Sequence, residues 1–387
     1  MENTFKINTS LQRYPHRATE RLQAWDSADE LILQHLGELC AQGLDLANQR
    51  ILILNDSFGA LSSTLGAFES ALGPAPSGAL TRFSLTSYTD SYVSAQAQRL
   101  NSQGRITPIH RLEELSGVYD LVLIRIPKNM SFFEDELRNL SGHLHARSKI
   151  ICGYMIKHQA KSSFEWLGKI IGDTTTSLAR KKARLIFADF QRAPSRSPYP
   201  MRVEIEGFEI PFVHHSNLFS REKLDIGTRF LLQHLPQGDY KTILDLGCAN
   251  GIVGIAAKRL NPSARIIFSD ESQMAVQSAR ANYDAYFAKI AKDASAQFIW
   301  THCFENAPPA SVDLVICNPP FHQGTTLGDH IAWQMFIDSR HALAPGGRLL
   351  VIGNTHLQYP NALKRIFGNS QVVAADAKFT GVEAVAG

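Results

Sequence analysis

The sequence predicts two tandem α/β domains, each a Rossmann-like doubly wound sheet, with the first a degenerate copy of the second. Three observations carry that expectation. The chain has 387 residues, long for one core and suited to two domains of about 100 to 200 residues each. From Tyr240 onward, short apolar runs alternate with helical patterns, as in a parallel sheet covered on both faces. The first half shows the same pattern in the same order, offset by 180 to 193 residues, which reads as an internal duplication.

In each copy the first element is an apolar strand running into a turn of small residues and a helix. RILILNDSFGALSSTLG (50–66) parallels TILDLGCANGIVGIAAK (242–258), where KTILDL (241–246) is a buried strand and GIVGIAAKRL the helix after the turn. Next, SYTDSYVSAQAQRLN (87–101) parallels FSDESQMAVQSARAN (268–282). This sets Asp90 in the place of Asp270 and Asn101 in that of Asn282, with ARIIFSD (264–270) as strand and Met274 to Tyr283 as helix. A strand at QFIWTH follows. YDLVLIRIPK (119–128) then parallels VDLVICNPPF (312–321), and the second copy closes with a helix around HIAWQMFIDSRHAL and a strand at GRLLVIGN. The expected boundaries are a first domain over 1–180, a basic, proline-punctuated linker over 181–205 and a second domain over 206–387.

The copies differ where chemistry would sit. Asp245-Leu246-Gly247-Cys248-Ala249-Asn250-Gly251 follows a strand and opens a helix, so its glycines permit a tight turn and close approach of the backbone to a ligand. Glycines at 247, 251 and 254 do not give the G-x-G-x-x-G spacing of a dinucleotide site. An acid at the strand end followed by x-Gly-x-x-x-Gly looks instead like an S-adenosylmethionine-binding turn, with a purely structural turn as the alternative. Asp245, Gly247, Cys248, Asn250 and Gly251 are the candidate contacts. Asp270 ends the next strand, where a carboxylate can accept both ribose hydroxyls of an adenosine. The first copy has Ser57-Phe58-Gly59 in place of the glycine turn.

Asn318-Pro319-Pro320-Phe321 is the sharpest signal. Two prolines fix φ and remove two backbone donors, which leaves the Asn318 side-chain carbonyl and the Pro319 backbone carbonyl as acceptors for the two hydrogens of an NH2 group. Held this way, the amine aims its lone pair at an activated methyl group, and most of the catalysis is positioning. Phe321 can stack on a flipped base. The first copy has Arg125-Ile126-Pro127-Lys128 at the same place.

Weaker candidates surround these. Phe219 and Asp225 lie just upstream of the second sheet, as a polar cap before the helix GTRFLLQHL or as a segment closing over the methionine end of the cofactor. His322 is read as a solvated loop residue and His214-His215 as surface. Cys248, Cys303 and Cys317 fill space as small buried thiols. The five cysteines contain no CxxC, so neither a disulfide framework nor a metal site is expected.

With 44% hydrophobic and 19% charged residues, the composition is that of a soluble globular protein. The net charge of +3 implies no polyanionic partner by itself, but residues 141–202 carry 12 Lys and Arg against 3 acids. Such a stretch suits phosphate backbones, with Arg180, Lys181, Lys182 and Arg184 as the candidate RNA contacts, and a solvated linker face as the alternative. MENTFKINTSLQRYPHR lacks the apolar core of a signal peptide, and no stretch of 18 apolar residues could span a membrane. A cytoplasmic protein without membrane partners is the expectation.

On these residues the chain resembles the ribosomal RNA guanine-N2 methyltransferases of the RsmC and RlmG type, over essentially its whole length. ILILNDSFGALS, TTTSLARKKARLI, NLFSREKLDIGTRFLLQHLP, LDLGCANGIVG, DESQMAV and NPPFHQ are most similar to the large-subunit branch. The resemblance implies two tandem class I methyltransferase-type domains, a first domain that helps bind RNA, and a guanine of 23S rRNA as substrate, offered as protein-poor RNA. Ala249 departs from the Gly that the family's turn often has. The Asn-Pro-Pro-Phe element alone is shared with enzymes acting on other amino groups. N2-methylation of 16S rRNA and N5-methylation of a protein glutamine therefore stay open, as does a non-catalytic RNA-binding scaffold.

Overall fold

Runs such as Ile51-Leu52-Ile53-Leu54 and Leu314-Val315-Ile316-Cys317 are buried at every residue, the mark of strands covered on both faces, and they lie centrally in two separate sheets. A computed structural model of the chain describes residues 5–17, 20–71, 83–158, 161–219, 223–287, 296–320 and 326–387. It divides into two units, Met1–Tyr199 and Pro200–Gly387.

The first unit runs α1 (Ser27–Ala41), β1 (Arg50–Leu54), α2 (Ala60–Ala71), β2 (Ser84–Tyr88), α3 (Tyr92–Asn101), β3 (Leu121–Arg125), α4 (Met130–Ser141), β4 (Lys149–Met155), α5 (Ser162–Ile170), β5 (Thr174–Thr176) and β6 (Ala183–Asp189). Its sheet has the order β2-β1-β3-β4-β6-β5. The second unit runs β7 (Met201–Val203), β8 (Phe212–His214), α6 (Ile226–Gln233), β9 (Thr242–Leu246), α7 (Ile252–Leu260), β10 (Arg265–Asp270), α8 (Gln273–Phe287), β11 (Ala296–Trp300), β12 (Val312–Cys317), α9 (Thr326–Ala342), β13 (Leu343–Asn354), α10 (Tyr359–Phe367), β14 (Gln371–Ala375) and β15 (Phe379–Val385). Its main sheet has the order β11-β10-β9-β12-β13-β15-β14, and β7 pairs with β8 apart from it.

The two orders superimpose when β11 is left out, so the duplication extends to topology. In the first unit the place of β11 holds, among the described residues, a single parallel bridge between Tyr88 and Ile109. The sequence anticipates the parallel strands in both units. It does not anticipate the antiparallel edges, where β6 returns along β4 and β15 along β13.

Two expectations are corrected. Residues 181–205 are not a linker, because Ala183–Asp189 is a full strand, β6, hydrogen-bonded between β4 and β5. Arg180 and Ala183 bond each other through both N–H groups across a two-residue hairpin tip, with Lys181 at φ 45° and Lys182 at φ 66°. The unit boundary therefore falls between Tyr199 and Pro200. Asp90 does not take the place of Asp270 either. Leu54 pairs with Tyr88 as Leu246 pairs with Ser269, so the next residues, Thr89 and Asp270, correspond. Among the described residues no helix is long and apolar enough to cross a membrane.

Candidate active site

The order of the second sheet reverses between β9 and β12, and ligands of open α/β sheets bind at the carboxyl ends of strands at such a switch point. The turn after β9 is built for close approach. Gly247 and Gly251 sit at φ 77° and 80°, and a Cβ on Gly251 would lie 2.9 Å from the Ala279 backbone. A Cβ on Gly254 would lie 2.3 Å from the Phe268 ring, so α7 packs against the sheet only with glycine there. Asp245 is buried under this helix, and its Oδ2 accepts the Gly254 N–H at 2.8 Å. Burial pushes its carboxyl up to about 7 against the opposing Gly254 hydrogen bond, with Asp270 adding to the rise. Ala249 holds φ 47°, a conformation in which a side chain is strained, which is why glycine suits this position.

The turn is clamped by residues whose part the sequence does not announce. Asn250 Oδ1 accepts the Ile252 N–H at 3.1 Å, while its Nδ2 donates to His214 Nε2 at 2.8 Å. Asn282 donates to the Asn250 carbonyl at 2.9 Å and brackets Val213 of β8, donating to its carbonyl at 3.0 Å and accepting its N–H at 2.6 Å. His214 is thus 2% exposed rather than on the surface, and His215 Nδ1 lies 2.7 Å from Ser278 Oγ. The only sequence trace of this clamp is the recurrence of Asn101 and Asn282 in the two copies.

Asp270 ends β10 next to the turn. Its Oδ2 accepts the Ala249 N–H and its Oδ1 the Ser272 N–H, both at 2.9 Å. Burial raises its pKa, and those backbone bonds oppose the rise. The carboxylate is thereby fixed at the strand end with lone pairs left for a diol. Cys248 donates its N–H to the Ser269 carbonyl at 3.0 Å, and burial pushes its thiol well up. A glycine cradle beside an oriented carboxylate fits the adenosyl part of S-adenosylmethionine.

Asn318 follows β12 directly. Its Nδ2 donates to Thr228 Oγ1 at 3.1 Å, and its Oδ1 is shielded from solvent without a hydrogen-bond partner among the described residues. Pro319 is buried and Pro320 exposed, whereas Phe321 and His322 lie outside the described residues. Thr228 belongs to α6, whose N-cap is Asp225, with Asp225 Oδ2 accepting the Thr228 N–H at 3.0 Å. Asp225 is therefore a helix cap one hydrogen bond removed from Asn318, and Phe219 stands 69% exposed ahead of it. Cys303 and Cys317 share the apolar core beneath.

The four basic candidates belong to the first unit. Arg180, Lys181 and Lys182 are exposed at the β5–β6 hairpin tip, Lys181 pairing with Glu30 at 2.9 Å, and Arg184 is half-buried beside Tyr154.

Two family models divide the chain, the RLMG N-terminal domain over residues 2–192 and the methyltransferase small domain over 209–382. Ribosomal RNA large subunit methyltransferase G of Aliivibrio salmonicida (strain LFI1238) is 40% identical over 390 residues, covering 98% of this chain and 97% of the relative. That of Pseudomonas paraeruginosa (strain DSM 24068 / PA7) is 41% identical over 382 residues, covering 97% and 96%. Among solved structures, the T. Thermophilus 16S rRNA N2 methyltransferase RsmC, in complex with AdoMet and guanosine, matches with TM-score 0.71 at 19% identity over 90% of this chain and 91% of that one. At that identity the match shows a shared fold. With a duplicated α/β architecture, a glycine cradle and acid that fit S-adenosylmethionine, and relatives alike over nearly their whole length, the chain belongs to the ribosomal RNA large subunit methyltransferase G family and is an S-adenosylmethionine-dependent ribosomal RNA methyltransferase.

Proposed function

We propose that the protein methylates the exocyclic N2 of a specific guanine in 23S rRNA, taken as protein-poor RNA. The observation that carries this reading is Asn318: one end of its amide is tethered to Thr228, while the other, Oδ1, is a buried acceptor without a partner. Buried polar atoms are nearly always satisfied, so an orphaned acceptor at a sheet switch point marks a place where a ligand's donor belongs. A guanine N2 has two hydrogens to give, one to Asn318 Oδ1 and one to the Pro319 carbonyl.

Bound S-adenosylmethionine supplies a methyl group already activated by its sulfonium charge. The chain's part is to orient. Gly247, Asn250 and Gly251 bring backbone against the cofactor, Asp270 accepts the ribose hydroxyls, and Phe219 and Asp225 close the methionine end. Phe321 stacks on the flipped guanine. Asn318 and Pro319 draw the amine toward tetrahedral geometry with its lone pair along the line of transfer. Arg180, Lys181, Lys182 and Arg184 contribute phosphate contacts from the first unit.

The test is labelled methyl transfer to protein-free 23S and 16S rRNA from a strain lacking the protein, and to glutamine-containing peptides, with the product mapped to nucleotide and atom. Label at guanine N2 of 23S rRNA is expected. Label in 16S rRNA or in peptide overturns the substrate assignment. In the same assay under single turnover, Asn318→Ala should lose about 100- to 1000-fold in rate, as when a preorganised transition-state hydrogen bond is removed, and Asn318→Asp should retain a little activity.

A further inference from the structure

We infer that Thr228 is a positioning residue for methyl transfer: its hydroxyl tethers one end of the Asn318 amide and so holds the side chain with its other end facing the target amine. This rests on the role proposed for Asn318 above.

A primary amide is nearly symmetric in shape, and half a turn about its last torsion exchanges oxygen for NH2. A flipped Asn318 would set N–H groups against the N–H groups of the amine. A hydroxyl can bond either end of an amide, so what Thr228 Oγ1, 3.1 Å from Asn318 Nδ2, supplies is a tether that holds one end and fixes the place of the other. Oδ1 is left as the shielded, unpaired acceptor. Thr228 is itself well held. It is the third residue of α6, its N–H is taken by the Asp225 cap at 3.0 Å, and a β-branched side chain has few rotamers in a helix.

The first unit supplies an independent observation. Asp120 accepts the Arg50 N–H as Asp313 accepts the Thr242 N–H, which aligns β3 with β12 and sets Arg125 at the position of Asn318. Asp29 is the third residue of α1, behind the Asp26 cap, and it pairs with Arg125. In both units, then, the third residue of the preceding helix grips the residue at the carboxyl end of the central strand. The contact belongs to the architecture, and its chemistry sets the outcome. A carboxylate holding a guanidinium offers no acceptor, whereas a hydroxyl holding an amide leaves one.

The experiment measures single-turnover rate on 23S rRNA at saturating cofactor, together with cofactor Kd and Tm, for Thr228→Val, Thr228→Ser, Asn318→Ala and the Thr228→Val, Asn318→Ala double variant. Valine keeps the shape and removes the acceptor. Thr228→Val should slow transfer about 10- to 100-fold, the scale of a small misplacement of a reacting group, with Kd and Tm unmoved. Thr228→Ser should recover most of that loss, and Thr228→Val should cost nothing further on top of Asn318→Ala, since no amide remains to orient. A full rate in Thr228→Val beside a crippled Asn318→Ala overturns this inference alone. An additional loss of the same size in the double variant does so too. A full rate in Asn318→Ala overturns the role of Asn318 and the inference with it.

Discussion

In the first unit Asn101 donates to the Phe58 carbonyl at 2.7 Å and brackets the backbone of Gln12; in the second, Asn282 donates to the Asn250 carbonyl at 2.9 Å and brackets Val213. Gly59 and Gly251 open the helices α2 and α7 at φ 82° and 80°. A buried carboxylate accepts the same helix amide in both, Asp56 taking the Ser62 N–H at 2.7 Å and Asp245 the Gly254 N–H at 2.8 Å. The acid has moved, however, because Ile53 holds the strand position of Asp245. These shared bonds satisfy the exposed amides of a helix start, so Asp245 answers to the fold as much as to a ligand. The differences fall elsewhere. Thr89 replaces Asp270, Asn55 replaces Gly247 and Arg125 replaces Asn318. The copies differ in the residues at strand ends, while the bonds that hold turn to sheet are shared.

The sharpest way to break this comparison is through Arg125, which is paired with Asp26 at 2.9 Å and with buried Asp29. Burial raises the Asp29 pKa even with the guanidinium beside it. Arg125→Ala strands that acid and should cost the first unit about 3–5 kcal/mol, read as faster hydrogen exchange in α1 and β3 with no change in α6 and β12. Equal exchange in Arg125→Ala and the wild type would mean that the pair fills space without holding the unit closed.

Cofactor binding separates the copies next. Asp270→Ala removes the acceptor proposed for the two ribose hydroxyls and should weaken cofactor binding about 100-fold by calorimetry. Thr89→Ala and Asp90→Ala should leave it unchanged, and a weakened Kd in either would place a cofactor site in the first unit.

The smallest effect is a pH dependence. Burial raises Asp56 to about 6 and Asp245 to about 7, above the roughly 3.9 of an unfolded chain. Between about pH 4 and those values the folded units bind more protons than the unfolded chain, so stability falls as pH rises. Asp56 contributes to this fall in the first unit up to about pH 6, with buried Glu136 adding to it beyond, and Asp245 contributes in the second up to about pH 7. Asp245→Asn should flatten the remaining slope of the second unit in urea titrations from pH 6 to 7, and an unaltered slope would assign it to another group.

Strand, turn and acid of the second copy were legible because periodicity and glycine spacing report local geometry. The KKARLIFAD segment was misread because hairpins of this type favour Asn-Gly or Gly-Gly at the left-handed positions, and here Lys181 and Lys182 occupy them without any such signal. Thr89 was hidden by a one-residue offset that only strand register resolves, since Asp90 stands beside it. His214 and Thr228 act through contacts 36 and 90 residues distant in the chain, which no local pattern encodes. Asp225 was visible as a cap, and its link to Asn318 was not.

The Arg125 triad also sets a direction on history. Restoring an asparagine at position 125 first leaves Asp29 buried and alone, while replacing Asp29 first leaves a guanidinium with only the half-exposed Asp26 for a partner. Either single step passes through a weakened intermediate. The first copy's strand end can therefore change only in concert, several residues at a time.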